Sequence, residues 1–320
     1  MEYRQLGQTG LSVSALSYGA SSLGSVFRDI DENEGIKTVK TAVDQGINYI
    51  DVSPYYGLTK AEAVLGKAIK ELNRDEIILS SKAGRYGENE FDFSYDRVIS
   101  SVEESLARLG TDYLDILFLH DIEFGDDRQV IEQGIPALQE LKKQGKIRFY
   151  GVSGLPLPVF TKVLNEVDLD VILSYCHYSL NDTSLLELIP FLEKKGVGLV
   201  NASPLSMGLL NDRDVVDWHP ADKEIIQVCK DVASYCKEQG EDLAKLAIQF
   251  STKNEKIPTT LVSTGSVGNM LKNINWLNEP INHNLMKEVH DRLRPIKNRT
   301  WSSGNKEYHQ SLSTIGGEFI

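Results

Sequence analysis

Apolar residues along the chain alternate between two periods. Short runs rich in β-branched and aromatic residues fall at 14–19, 49–53, 77–83, 113–120, 147–153, 171–178, 198–204 and 259–265. Each predicts a buried strand. The stretches between them carry helical spacing. Over 94–109, for example, Val98, Val102, Leu106 and Leu109 recur at intervals of four, four and three, which keeps them on one helix face. Gly46, Gly110, Gly145 and Gly196 close four such stretches, where a residue tolerant of positive φ is wanted just past a helix end.

From 14 to 198 the runs return roughly every 30 residues, the length of one βα unit. Eight strands alternating with helices point to the α/β class and a closed (β/α)8 TIM barrel, with a doubly wound open sheet as the alternative. Ahead of the barrel, Tyr3–Leu6 and Leu11–Val13 flank QTG and predict a β-hairpin. The last interval is double length. It holds an irregular segment, NDRDVVDWHP, and two helical stretches near 221–238 and 241–253. An extra helical segment after strand 7 belongs on the C-terminal face of a barrel. After Pro295 the pattern loses its period, and Trp301 suggests a tail from about 296 that either packs over the site or is mobile. No domain boundary is visible, so residues 1–320 read as a single barrel domain.

Composition adds little to the fold but narrows the function. With 41% hydrophobic and 25% charged residues, the chain is an ordinary globular one. Lys plus Arg is 34, Asp plus Glu is 46, and the net charge is −12, against a general nucleic-acid or anionic-membrane binder. No run of apolar residues is long enough to span a bilayer, and MEYRQLGQTG lacks the features of a secretory signal. Three cysteines, Cys176, Cys229 and Cys236, fit a reducing compartment; a cytoplasmic protein, monomeric or weakly homo-oligomeric, is expected. His219, His283, His290 and His309 show no metal-ligand spacing, and neither a CxxC nor a G-x-S-x-G motif is present. No metal, nucleophilic cysteine or hydrolase chemistry is expected.

The informative positions are ionisable ones at the ends of buried runs. Asp51 ends the second barrel run and Tyr56 follows it; Lys82 ends the third and His120 the fourth. Taken singly, each has a bland reading as a cap, a snorkelling lysine or a packed ring. Taken together they sit where barrel enzymes gather their chemistry.

The segments YIDVSPYYG (49–57), LSSKAG (79–84) and LDILFLHD (114–121) resemble the aldo/keto reductase family, and the resemblance runs from RQLGQTGLSVSALSYG (4–19) to TLVSTGSVGNMLKN (260–273). It implies a (β/α)8 barrel with a catalytic Asp51, Tyr56, Lys82 and His120, Tyr56 being the tyrosine that precedes a glycine. Tyr56 would exchange a proton with the reacting oxygen while hydride moves to or from a nicotinamide. Lys82 would lower the phenol pKa from about 10, Asp51 would hold Lys82 charged, and His120 would donate a hydrogen bond to the oxygen.

The same resemblance assigns Ser153, Gly154, Tyr175, Ser203, Leu205, Ser206, Gly208, Ser266, Asn269 and Asn273 to the dinucleotide. Gly154 departs from the family's usual Asn, Tyr175 from Gln, and Ala202 from a stacking aromatic. Gly265 and Asn269 stand where relatives that use NADP carry basic residues for the 2′-phosphate, so NAD is expected, with NADP possible through Lys272. NASPLSMGLL (201–210), SYCHYSL (174–180) and NRTWSSG (298–304) are most similar to the L-galactose dehydrogenase (aldose 1-dehydrogenase) branch. That implies oxidation of a sugar's anomeric hydroxyl to a lactone, with His177, Tyr86, Phe124, Trp218 and Trp301 as sugar-binding candidates and Trp276 only packing. The alternatives are an NADPH-dependent reductase of aldehydes and ketones, and a non-catalytic dinucleotide-binding regulatory subunit.

Overall fold

A computed structural model describes residues 1–308. The chain begins as a hairpin, Tyr3–Gln5 (β1) antiparallel to Ser12–Ser14 (β2), with Tyr3 opposite Ser14. Eight parallel strands follow: Leu16–Gly19 (β3), Tyr49–Asp51 (β4), Ile78–Ala83 (β5), Leu114–Leu119 (β6), Ile147–Gly154 (β7), Val171–Tyr175 (β8), Gly198–Ala202 (β9) and Thr259–Val262 (β10). They pair in sequence order, and β10 returns to β3 to close the barrel. All eight expected runs are strands. The run at 14–19 is divided, because Ser14 pairs back into the hairpin and β3 starts only after Ala15.

The helices are Glu32–Asp44 (α1), Lys60–Ile69 (α2), Tyr95–Leu109 (α3), Asp127–Gln129 (α4), Ile135–Lys143 (α5), Leu157–Glu166 (α6), Ile189–Lys195 (α7), Lys223–Glu238 (α8), Leu243–Lys253 (α9), Val267–Trp276 (α10) and His283–Leu293 (α11). A π-helical turn, Val130–Gly134, joins α4 to α5. Gly46, Gly110, Gly145 and Gly196 all take positive φ just past helix ends, as their positions predicted.

The twofold alternation of a strand sorts the core. On β5, Leu79 and Ala83 pack outward against the helices, while Ile78 faces the barrel interior. On β6, Leu117 and Leu119 go outward, and Ile116 and Phe118 inward. The hairpin adds Leu6, Leu11 and Val13 to the interior set, so the N-terminal end of the barrel is an apolar plug. Lys82 and His120 continue the inward parity at the opposite end.

The double-length interval holds α8 and α9 as expected. With α11 they bury a second apolar cluster that includes Cys229, Cys236, Leu246 and Val289. Helix α11 was not foreseen; its apolar residues Leu285, Val289 and Leu293 sit among charges at helical spacing. Past it, Asn298 N–H donates to Asn181 O at 2.9 Å and Asn305 N–H to Glu123 O at 2.8 Å, so the described part of the tail packs across the loops after β6 and β8. His309 lies outside the described residues. Among the described residues no helix is long and apolar enough to cross a membrane.

Candidate active site

Register and parity bring the four strand-end residues together. Asp51 lies opposite Ser80 across the β4–β5 pair, and Ser80 Oγ donates to Asp51 Oδ1 at 2.7 Å. Two residues further along the same face, Lys82 Nζ donates to Asp51 Oδ2 at 2.5 Å, to Val52 O at 3.0 Å and to the Tyr56 hydroxyl at 3.2 Å. All three ammonium hydrogens are thereby used, and the phenol oxygen, an acceptor here, keeps its own hydrogen for the barrel mouth. The Tyr56 and His120 rings meet edge to face with centroids 5.7 Å apart.

Lys82 and Asp51 are almost completely buried, with side chains 1% and 4% exposed. Breaking such a pair by removing one partner costs about 3–5 kcal/mol. Burial works against the Lys82 charge, but Asp51 and Tyr56 together hold its pKa above the ordinary value. The expectation of a lowered Tyr56 pKa is corrected. Burial pushes the phenol up, and Lys82 only opposes the rise. His120 lies well below the usual histidine range, first through burial and then through the Lys82 and Arg85 charges. It is a neutral ring.

Its tautomer can be read from the bonds around it. Ser53 Oγ accepts the Tyr55 N–H at 3.1 Å and stands 3.0 Å from His120 Nδ1. The serine hydrogen is free to donate to Nδ1, which leaves the ring proton on Nε2. That nitrogen can donate to an oxygen shared with Tyr56.

A chain with this closed barrel and this buried Asp–Lys–Tyr–His group can be compared with known proteins. The Aldo/keto reductase family matches residues 15–294. The chain belongs to that family. It is 48% identical to an L-galactose dehydrogenase of Arabidopsis thaliana over 95% of its own length and 98% of that protein. It is 37% identical to a D-arabinose 1-dehydrogenase of Saccharomyces cerevisiae over 75% of each chain. Among solved structures, a holo-form aldo-keto reductase of Bacillus halodurans superposes with a TM-score of 0.76 at 27% identity, covering 97% of this chain and 100% of that one. The family and its relatives named as dehydrogenases make the chain an oxidoreductase.

A nicotinamide dinucleotide is the cofactor expected of this family, and the residues present fit one. Ser203, Ser206, Met207 and Gly208 all take positive φ, which curls the loop after β9 tightly. The Ser206 side chain itself turns inward, donating to Asn181 Oδ1 at 2.7 Å. Ser153 Oγ accepts the Asp121 N–H at 3.3 Å at the end of β7. Beside it Gly154 leaves a cradle: a Cβ there would stand 2.7 Å from Glu123 Oε2. Tyr175 ends β8 partly exposed. Ser266 caps α10, accepting the Asn269 N–H at 3.4 Å, and Asn273 is buried on the same helix.

The sugar-binding candidates separate. Phe124 stacks on Phe91 at 4.8 Å and reaches the site through Arg85, whose guanidinium lies 5.5 Å from its ring. Tyr86 is engaged elsewhere, its hydroxyl accepting the Gly84 N–H at 3.0 Å and its ring under Arg97 at 3.9 Å. His177 is buried, with Nδ1 2.9 Å from Ser184 Oγ. Trp218 pairs with Phe27 at 5.6 Å and Trp301 with His219 at 5.0 Å. His219 Nε2–H donates to Ser206 O at 3.1 Å, so this aromatic group braces the loop after β9.

Sequence reasoning missed Ser53, Arg85, Asp121, Glu123 and Glu34. A charge directly after LDILFLH was a usable signal for Asp121. The other four become visible only through partners distant in sequence.

Proposed function

We propose that the chain is an NAD-dependent aldose 1-dehydrogenase that oxidises the anomeric hydroxyl of an L-galactose-like sugar to the lactone. The observation that carries this reading is the Lys82 ammonium, held by Asp51 and Val52 with its remaining hydrogen on the Tyr56 phenol. The likeness to L-galactose and D-arabinose dehydrogenases supports the substrate class.

An oxidised nicotinamide, when bound, supplies the acceptor for the hydride leaving C1 and a positive charge near the phenol. Tyr56 takes the proton of the C1 hydroxyl, and Lys82 stabilises the phenolate that must exist for this to happen. His120 Nε2–H steadies the same oxygen as its C–O bond gains double-bond character. Asp51 and Ser80 keep Lys82 aimed. Gly154, Ser153 and Tyr175 would seat the ring, and the loop 203–208 would hold the pyrophosphate.

Glu34 supports NAD over NADP. Its Oε1 accepts the Val267 N–H at 3.0 Å, placing a carboxylate on the first turn of α10, beside Ser266 and Asn269. Helix N-termini favour anions, and here the position is already taken by one. A 2′-phosphate would meet like charge there, whereas ribose hydroxyls could donate to it.

The test is initial-rate NAD reduction across L-galactose, L-fucose and D-arabinose, repeated with NADP. Lactone formation with a kcat/KM ratio favouring NAD is expected, with Glu34→Gln narrowing that ratio. Tyr56→Phe should abolish turnover and leave cofactor affinity nearly intact. Retention of more than about a tenth of kcat, one decade or 1.36 kcal/mol, removes Tyr56 from this role. Turnover confined to aldehyde reduction with NADPH replaces the reading by the reductase one.

A further inference from the structure

Next to the four convergent groups stands a charged pair that they leave unused. Asp121 follows His120 directly and takes φ 50, the left-handed region that side chains enter only occasionally. Its side chain is 5% exposed and is bound by Arg85 Nη1. Its Oδ2 also stands 3.6 Å from His120 Nε2, the nitrogen that faces the reacting oxygen. Arg85 is fixed in turn. Its Nη2 donates to the Tyr55 hydroxyl at 2.9 Å, and its guanidinium carbon lies 3.8 Å from the Tyr55 ring centroid and 5.2 Å from that of Phe91.

One polar atom of this pair has nothing to bond among the described residues: Arg85 Nε is buried with no acceptor. The side-chain contacts of Asp121 with Arg85 and His120 run through Oδ2. A buried ion pair is weak evidence for stability, and a strained, incompletely satisfied one is weaker still. Its position accounts for it better. The pair offers a carboxylate acceptor and a guanidinium donor beside the oxygen that Tyr56 and His120 would share.

Hydroxyl oxygens on adjacent sugar carbons stand about one hydrogen-bond length apart, roughly 2.8 Å. With the C1 oxygen on Tyr56 and His120, the C2 oxygen falls within reach of Asp121. We propose that Asp121 and Arg85 form a subsite that reads the hydroxyl on the carbon next to the one oxidised, Asp121 accepting its hydrogen and Arg85 donating to its oxygen. The ligand class is a sugar hemiacetal bearing a 2-hydroxyl. This rests on the aldose 1-dehydrogenase reading and adds to it the group that the site selects. Tyr55, Phe91 and Phe124 are the aromatic support that keeps the guanidinium plane in place.

The experiment compares kcat/KM for L-galactose and 2-deoxy-L-galactose with NAD, using the full chain and its Asp121→Ala and Arg85→Met variants. NADH binding and melting temperature are measured on each to establish that it is folded. A site built to bond a hydroxyl rejects the analogue that lacks it, so the wild type should prefer L-galactose by at least about a hundredfold. In either folded variant that preference should collapse toward unity. The loss should appear mainly as a raised KM for L-galactose, with the 2-deoxy sugar nearly unaffected. Equal turnover of both sugars by the wild type, or a preference unchanged in both variants, overturns the subsite while leaving the dehydrogenase reading standing. Failure to oxidise any aldose overturns both.

Discussion

At the scale of single residues, the site is a set of proton positions fixed by hydrogen bonds. Lys82 has no spare hydrogen, because Asp51, Val52 and Tyr56 take all three. His120 is neutral, and Ser53 sets which of its nitrogens is bare. Two consequences can be measured. The pH profile of kcat/KM for oxidation should show no inflection near the ordinary histidine value of about 6.5, since burial and nearby cations hold His120 far below it. The profile should instead rise toward alkaline pH, because Tyr56 must give up its proton to act as a base and burial holds that proton on. Ser53→Ala frees Nδ1 to take the ring proton in place of Nε2. At about 1 kcal/mol for a lost hydrogen bond, kcat should fall by roughly fivefold at little change in cofactor affinity. An inflection near 6.5 in the wild type, or an unchanged kcat in the variant, would contradict this account of His120.

At the scale of elements, the tyrosine is held in place by two glycines. Gly57 takes φ +62, and a Cβ on it would stand 2.1 Å from Gly24 O; one on Gly24 would stand 2.5 Å from Tyr56 O. The loops after β3 and β4 thus cross backbone on backbone, at a separation open only to glycine. Gly57→Ala must push the loops apart and carry the phenol away from Lys82. Small displacements of a positioned group cost about a hundredfold in rate. That loss in kcat is expected alongside an intact circular dichroism spectrum, and a kcat within threefold of wild type would show that the crossing does not position Tyr56. The glycine before the loop was visible in YYG as a motif. Its partner was not, because Gly24 lies in a different βα unit.

At the scale of the whole molecule, the C-terminal segment closes over a buried acid. Glu123 is fully buried; its Oε1 accepts the Leu155 N–H at 3.0 Å and the Ser303 hydroxyl at 2.9 Å, while Oε2 has no partner among the described residues. Burial and the neighbouring Asp121 push its pKa up to about 8. The folded pKa exceeds the unfolded one, so the unfolded chain binds fewer protons between about 4.5 and 8. Stability therefore falls as pH rises through that window, and the penalty is complete above pH 8. Glu123→Gln should remove it, raising the melting temperature relative to wild type at pH 8.5 but not at pH 5. A difference independent of pH would mean that Glu123 is ionised at little cost throughout.

What the sequence determined by itself was what depends on local period. The eight strands followed from eight apolar runs, the strand-end positions of Asp51, Lys82 and His120 from where those runs stop, and the glycine-capped helices from residues just past each periodic stretch. The site's core was legible for the same reason: an ionisable group at the end of a buried run is expensive, so Asp51, Lys82 and His120 at three successive strand ends stand out, with Tyr56 just past the first of them. The tertiary structure decided what depends on closure. Glu34 meets α10 across 233 residues, Ser303 meets Glu123 across 180, and Arg85 meets Asp121 across 36. It also decided the direction of the Tyr56 pKa, which the sequence reading had reversed. A neighbouring lysine can be foreseen from spacing, but the water excluded from around a phenol is known only once the barrel has closed.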